Sequence, residues 1–96
     1  MTDVTITRHG SADAGEYHAH VEGAEEIGRL TWVRRGTVRV ADHTLVPQAI
    51  GGRGVAARLV EALVADAREQ GFRIDPQCSY VEAAFRRHPE WADLRA

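Results

Sequence analysis

The clearest hydrophobic pattern lies in the second half of the chain, where apolar residues recur with a helical period after residue 54. They fall on one stripe of a helix, which comprises Val55, Ala56, Leu59, Val60, Leu63, Val64 and Ala67. The charged residues of this stretch fall off that stripe, at Arg58, Glu61, Asp66 and Arg68. Gly71 follows, and glycine often ends helices. The pattern therefore predicts an amphipathic helix that begins at residue 55 and stops at Gly71.

The first half of the chain alternates between apolar and polar positions, which is typical of strands. Three strands are predicted, over residues 16–22, 26–33 and 37–46. A turn at Glu22 and Gly23 links the first two strands, and a turn closed by Gly36 leads into the third. In the third strand, one phase holds Val38, Val40 and Val46, and the other holds Thr37, Arg39 and His43. These strands predict an antiparallel meander.

After the helix, a short extended stretch over residues 72–75 ends at Pro76. Because the chain returns to the sheet through a helix, this stretch should lie parallel to strand 37–46. Ser79 and Glu82 have the spacing of a capping box, which predicts a second helix with Ser79 as its N-cap. The sequence thus predicts a single α+β domain over residues 1–96. Its sheet is mixed and mainly antiparallel, with one parallel crossover pair and helices packed on it.

Three glycines, at positions 51, 52 and 54, join the end of strand 37–46 to the first helix. Glycines let the backbone approach an anion, and the first N–H groups of a helix favour negative charge. The junction therefore predicts a site for a phosphorylated cofactor. The chain contains no lysine, which argues against a P-loop. The dinucleotide fingerprint fails because its third glycine would have to be Ala57.

Several short motifs accompany the glycine junction. The run Gly51-Gly52-Arg53-Gly54-Val55-Ala56 is similar to the acetyl-CoA motif Gln/Arg-x-x-Gly-x-Gly/Ala of the GNAT acetyltransferase superfamily, except that Gly51 replaces the usual Gln or Arg. Three further elements are His43-Thr44-Leu45-Val46, Cys78-Ser79-Tyr80-Val81 and Arg87-His88-Pro89-Glu90. Together, these blocks resemble the minimal, single-domain family of GNAT-like N-acetyltransferases.

The resemblance implies acetyl-CoA as the cofactor and an amine as the acceptor, whose identity the sequence leaves open. It implies that the N–H groups from Gly52 to Ala56 hold the CoA pyrophosphate and that the N–H of Val46 contacts the thioester carbonyl. The expected cofactor-binding residues are Thr44, Leu45, Val46, Gly51, Gly52, Arg53, Gly54, Val55 and Ala56. The alternatives are a non-catalytic module that binds CoA or another protein, and a binder of some other phosphorylated ligand.

Three residues are candidates for catalysis: Cys78, His43 and Tyr80. Cys78 precedes the second helix, whose N-terminus favours the thiolate; it either takes the acetyl group or packs as a small apolar residue. His43 either removes a proton from the acceptor, pairs with Cys78, or stabilises the strand. By the resemblance, Tyr80 protonates the CoA thiolate, and otherwise it packs in the core. Direct transfer and a covalent Cys78 route both stay open.

Charge and composition limit the classes of partner that we expect for this protein. Twelve arginines and fourteen acidic residues give a net charge of −2, so nucleic acid is not an expected partner. The single cysteine fits a reducing cytoplasm, and no apolar run is long enough to span a membrane. We expect a soluble cytoplasmic protein whose oligomeric state is open. His18 and His20 share one face of a strand, but no third ligand is spaced to join them, so no metal is expected.

Overall fold

The computed structural model describes residues 3–96, so the first two residues of the expected domain lie outside the described part. One five-stranded sheet has its strands in chain order. The strands are β1 (Val4–Gly10), β2 (Ala14–Val21), β3 (Ile27–Arg35), β4 (Val38–Leu45) and β5 (Arg73–Pro76). The helices are α1 (Val55–Gln70) and α2 (Ser79–Arg87), with 3₁₀ segments at Gln48–Ile50 and Pro89–Leu94. This confirms the predicted α+β fold.

The sheet combines an antiparallel meander with one parallel pair. β1 to β4 pair in sequence as antiparallel neighbours, and β5 lies parallel to β4 with Val38 beside Arg73. α1 connects the two parallel strands and ends at Gly71, whose left-handed φ of +79° suits glycine. The predicted meander, parallel crossover and helix are therefore confirmed, with strand ends that differ by one or two residues.

The sequence analysis missed β1. Val4 and Ile6 alternate and pack against the core, but the next residue on that face is Arg8. Its guanidinium forms an ion pair with Asp66 of α1, with Nε 2.8 Å from Oδ2. A charged residue therefore occupies a position where an apolar pattern would have revealed the strand.

The helices cover one face of the sheet, and we call the other the open face. Gly28 of β3 lies under α1, where an added methyl group would sit 2.8 Å from Cγ1 of Val55. Leu59 and Leu63 are completely buried in the same core. Val40 points to the open face and lies outside that core cluster. Within residues 3–96, the open face carries strand side chains and no helix.

A β-bulge in β4 changes which side chains reach the open face. The register against β3 jumps from Ala41 to His43 and leaves Asp42 as the extra residue. His43 consequently shares the open face with Val40. The predicted alternation, which put these two residues in opposite phases, was wrong because the inserted residue shifts the phase by one. The Asp42 carboxylate accepts a hydrogen bond from the hydroxyl of Thr31.

The predicted capping box at the start of α2 was also wrong. Cys78 is the N-cap and Ser79 is the first helical residue, and the cap makes no side-chain hydrogen bond. The carboxylate of Glu82 pairs instead with Arg86 at 3.2 Å and with Arg95 at 2.7 Å. Two guanidinium groups thus bind the carboxylate that would accept the backbone hydrogen bond in a capping box. The N-terminus of α2 begins directly at the cysteine.

Asp66 is only 6% exposed, although the helical pattern placed it off the buried stripe. It accepts hydrogen bonds from Arg8 at 2.8 and 3.0 Å and from the Tyr17 hydroxyl at 2.8 Å. Arg39 donates to the same Tyr17 oxygen at 2.9 Å. Burial raises the pKa of the Asp66 carboxyl, but the hydrogen bonds from Arg8 and Tyr17 outweigh it, so the pKa is lowered. This network ties α1 to β1, β2 and β4.

Replacing Asp66 with Asn is expected to lower the free energy of unfolding by about 1–3 kcal/mol at neutral pH, because Arg8 and Tyr17 lose a charged acceptor. Since the folded pKa is lowered, this stabilisation is present above the unfolded pKa of about 3.9 and is lost as pH falls through the folded value. Urea unfolding at neutral and strongly acidic pH measures it. Glu69→Gln, at an exposed site on the same helix, is the control, with a change within about 0.5 kcal/mol. If the difference in free energy of unfolding between the wild type and Asp66→Asn did not shrink in acid, the proposed stabilising role of the Asp66 carboxylate would be contradicted.

Candidate active site

The parallel strands β4 and β5 stop pairing near their carboxyl ends, at a point that we call the β4–β5 cleft. Their pairing stops at Ala41 and Pro76, and the N–H of Cys78 then donates to the carbonyl of Ala41 at 2.9 Å. β4 continues to Leu45, whereas the other chain turns into α2. Because parallel strands end at the same edge of the sheet, both α1 and α2 begin beside this β4–β5 cleft. Two helix N-termini thus favour negative charge there.

Cys78 and Thr44 meet across the β4–β5 cleft. The thiol of Cys78 donates to Oγ1 of Thr44 at 3.4 Å, and Thr44 faces Leu30 on the helix-covered side of the sheet. Burial raises the pKa of the Cys78 thiol, but the Thr44 hydroxyl and the N–H groups of Val81 and Tyr80 favour the thiolate more strongly. The pKa of the half-buried thiol is therefore lowered.

The glycine junction presents a row of backbone donors. Gly52 and Gly54 have left-handed φ values of +73° and +71°, and a methyl group added to either would meet nothing within 4 Å. Within residues 3–96, the N–H groups of residues 52–57 donate to no backbone carbonyl; the first that does is that of Arg58, to Gly54 at 3.1 Å. The first turn of α1 contains no acidic residue. Such a run of unpaired N–H groups fits a phosphate.

Val46 lies between the glycine junction and the cleft. It follows the last residue of β4, and its side chain is half-buried. In the described part of the chain its N–H donates to no backbone carbonyl. Its neighbour Leu45 is 64% exposed, an unusual position for a large apolar side chain. Together they offer a backbone donor and an apolar contact for a ligand that runs along the end of β4.

The structure separates two of the catalytic candidates. His43 is exposed on the open face opposite Thr31, whereas Cys78 contacts Thr44 and makes no hydrogen bond with His43. A His43–Cys78 pair is therefore not formed. Tyr80 is half-buried in the first turn of α2 and packs against the core, with the Arg87 guanidinium 5.9 Å from its ring centre.

A cavity of about 570 Å³ lies on the open face and not at the glycine junction. Asp42 and Thr31 line it, and His43 is adjacent to Asp42 along β4. The sequence analysis did not single out Asp42, because only the bulge brings it to this wall. The cavity thus lies on the face of the sheet that the helices leave uncovered, and its lining includes the acidic residues Asp42 and Glu16 together with Arg29.

Comparison with known proteins adds one match. The family model described as GCN5-related N-acetyl-transferase matches residues 16–94, which include the cleft, the glycine junction and both helices. No curated protein matches the chain. In the part that the structure describes, no helix has the length and apolar character needed to cross a membrane.

Proposed function

Because this chain belongs to the GCN5-related N-acetyltransferase family, we propose that it transfers the acetyl group of acetyl-CoA to an amine at the β4–β5 cleft. Domains of this family use acetyl-CoA in general. The observation that carries the proposal is the run of unpaired N–H groups at residues 52–57 beside the cleft in which Cys78 meets Thr44. In this proposal the glycine junction holds the phosphates of the cofactor, and the cleft at Cys78 receives its thioester.

The residues of the glycine junction suit the pyrophosphate of CoA. The N–H groups of residues 52–57 would hold its oxygens, and the exposed side chain of Arg53 adds positive charge. Gly51 offers no side chain, so the contacts at that position come from the backbone. The pantetheine arm would then follow Val46, Leu45 and Thr44 along the end of β4 toward Cys78. Acetyl-CoA supplies an activated thioester at that point.

We propose that Cys78 takes the acetyl group first. Its thiolate attacks the thioester carbonyl, so that a bond from Sγ to the acetyl carbon forms and the bond to the CoA sulfur breaks. The N–H of Val46 stabilises the oxyanion that develops on the carbonyl. Tyr80 donates a proton to the departing CoA thiolate and recovers it from solvent. The lowered pKa of Cys78 supports this order of steps.

The acceptor would enter from the open face, because the helices cover the other side of the sheet. The acceptor ammonium first loses one proton to solvent; the neutral amine then attacks the acetyl carbon, His43 receives the second proton, and the bond from the acetyl carbon to Sγ breaks to release the Cys78 thiolate. Asp42, on the wall of the neighbouring cavity, would attract the acceptor as an ammonium ion before attack. The protonated acceptor and the acetyl group thus reach the cleft from opposite faces. A thiolate that must stay reduced also fits a cytoplasmic location.

Replacing Gly54 with alanine tests the proposed cofactor site. The left-handed backbone at this position strains any L residue and would displace the adjacent N–H groups, so affinity for CoA is expected to fall about tenfold or more. Calorimetric titration with CoA measures the effect. Gly71→Ala is a matched control, because it puts the same strain at the other end of α1 with equally open space around it.

Together, Gly54→Ala and Gly71→Ala separate the loss of stability caused by backbone strain from the loss of CoA affinity. Both are expected to lose about 1–2 kcal/mol of stability, whereas only Gly54→Ala should lose affinity. Equal CoA affinity in the two folded variants would contradict the site. Tight CoA binding by a wild-type protein that releases no thiol from acetyl-CoA with any of a panel of amines would favour the alternative, a non-catalytic CoA-binding module.

A further inference from the structure

Three histidines come together on the open face, at the far side of the sheet from the cleft. His18 and His20 lie two residues apart on β2, so their side chains share a face. In β1, Thr7 faces His18 and His9 faces Glu16, which places His9 diagonally beside His18. The sequence analysis found no third residue spaced to join His18 and His20, whereas the structure places His9 beside them. The missing partner comes from β1, the strand that the sequence pattern did not reveal.

The imidazoles are close enough to share one ion. One ring nitrogen from each of His9, His18 and His20 lies within 4.8 Å of the others. Two imidazoles on a tetrahedral ion at about 2.0–2.1 Å have their nitrogens about 3.4 Å apart, so the three rings would rotate from their present positions to converge on one ion. The Thr7 hydroxyl lies within hydrogen-bond distance of two of the rings. Its oxygen is 2.7 Å from Nε2 of His9 and 3.0 Å from Nε2 of His20.

Glu16 supplies a carboxylate that hydrogen-bonds to one of the imidazoles, as is common for histidines that bind metals. Its carboxylate is 2.8 Å from Nε2 of His18, and it can only accept a hydrogen bond there. This bond orients the ring and leaves its other nitrogen as a ligand, the usual arrangement in which a carboxylate supports a metal-bound imidazole. His9 and His18 also stack with ring centres 4.1 Å apart, so the two rings lie side by side on the open face.

We propose that His9, His18 and His20 form a binding site for a divalent transition-metal ion of the Zn²⁺ class. Three imidazoles are a common ligand set for zinc, and they leave one position for water or another ligand. His9, His18 and Glu16 also line the cavity of about 570 Å³, so the remaining position is accessible from that cavity. The family match begins at residue 16, so His9 lies outside it and the site depends on a strand beyond the matched range.

Calorimetric titration of the intact protein with Zn²⁺ tests the proposal. We expect one ion per chain with micromolar or tighter affinity, and a rise in melting temperature because the ion joins β1 to β2. His9→Gln and His18→Gln should each weaken binding at least about 100-fold, and Glu16→Gln about 10- to 100-fold. His43→Gln is the matched control, because it removes an exposed histidine from the same face outside the cluster and should leave binding unchanged.

Titration with Co²⁺ identifies the ligands independently. The expected visible spectrum is that of a tetrahedral site with nitrogen and oxygen ligands, and circular dichroism of each variant checks that it is folded. Absence of binding to the wild-type protein would overturn the proposal, as would equal affinity in folded His9→Gln and His43→Gln. A sulfur-to-cobalt charge-transfer band that disappears in Cys78→Ala would also overturn it, since the ion would then sit at the cleft.

Discussion

Replacing Cys78 with alanine is expected to lower acetyl-CoA turnover at least about 100-fold, because the variant lacks the nucleophile of the proposed first step. Release of the CoA thiol in the presence of a panel of amines measures turnover. The affinity for CoA should change little, since the proposed pyrophosphate contacts come from residues 52–57. The expected loss is therefore in kcat and not in ligand binding.

Ser79→Ala is the matched control for this prediction. Ser79 is the neighbouring residue, is exposed and makes no capping hydrogen bond, so its removal should leave both turnover and stability nearly unchanged. Full amine-dependent turnover by folded Cys78→Ala would rule out the covalent route. Direct attack of the amine on acetyl-CoA would then be the route to test, with His43→Ala as the first variant.

Replacing Val46 with proline is expected to lower turnover about 100-fold, because proline removes the N–H that we propose for the oxyanion. That N–H has no backbone acceptor within residues 3–96, so its loss breaks no described ladder bond. The preceding Leu45 is already extended in β4, the conformation that a following proline favours. Steady-state kinetics with acetyl-CoA, with circular dichroism for the fold, measures the change.

Val46→Ala separates the backbone from the side chain. It keeps the N–H and should retain turnover within a few fold, with at most a modest loss of stability. The proposal requires a large gap between the proline and alanine variants in kcat, with similar CoA affinity. If folded Val46→Pro turned over acetyl-CoA as fast as Val46→Ala, the oxyanion role would be wrong.

Much of the fold followed from local patterns. α1 was predictable because its apolar stripe, its flanking glycines and its length all indicate a helix over the same residues. The parallel position of β5 followed from the helix that precedes it. β1 was not predictable, because Arg8 occupies a core-facing position by pairing with Asp66. The burial of Asp66 has the same cause. A pattern of apolar residues does not reveal a strand in which an ion pair ends the apolar alternation after Val4 and Ile6.

The candidate site was partly readable from the sequence. The glycine junction and Cys78 were visible because their residue types carry the chemistry, and both lie beside one cleft. The contact between Cys78 and Thr44 could not be predicted from the sequence, since it depends on where β4 and β5 stop pairing. The face on which His43 lies depends on the bulge at Asp42, which adds one residue without a sequence signal.

Intact-mass spectrometry after incubation with acetyl-CoA tests the central claim most directly. The chain contains no lysine, so an acetyl group on a side chain cannot be a lysine adduct. The account predicts a protein that retains one CoA-derived ligand under native conditions and carries one acetyl group on the peptide containing Cys78, released by hydroxylamine and absent in Cys78→Ala. A protein that neither retains the ligand nor gains an acetyl group at saturating acetyl-CoA would contradict it.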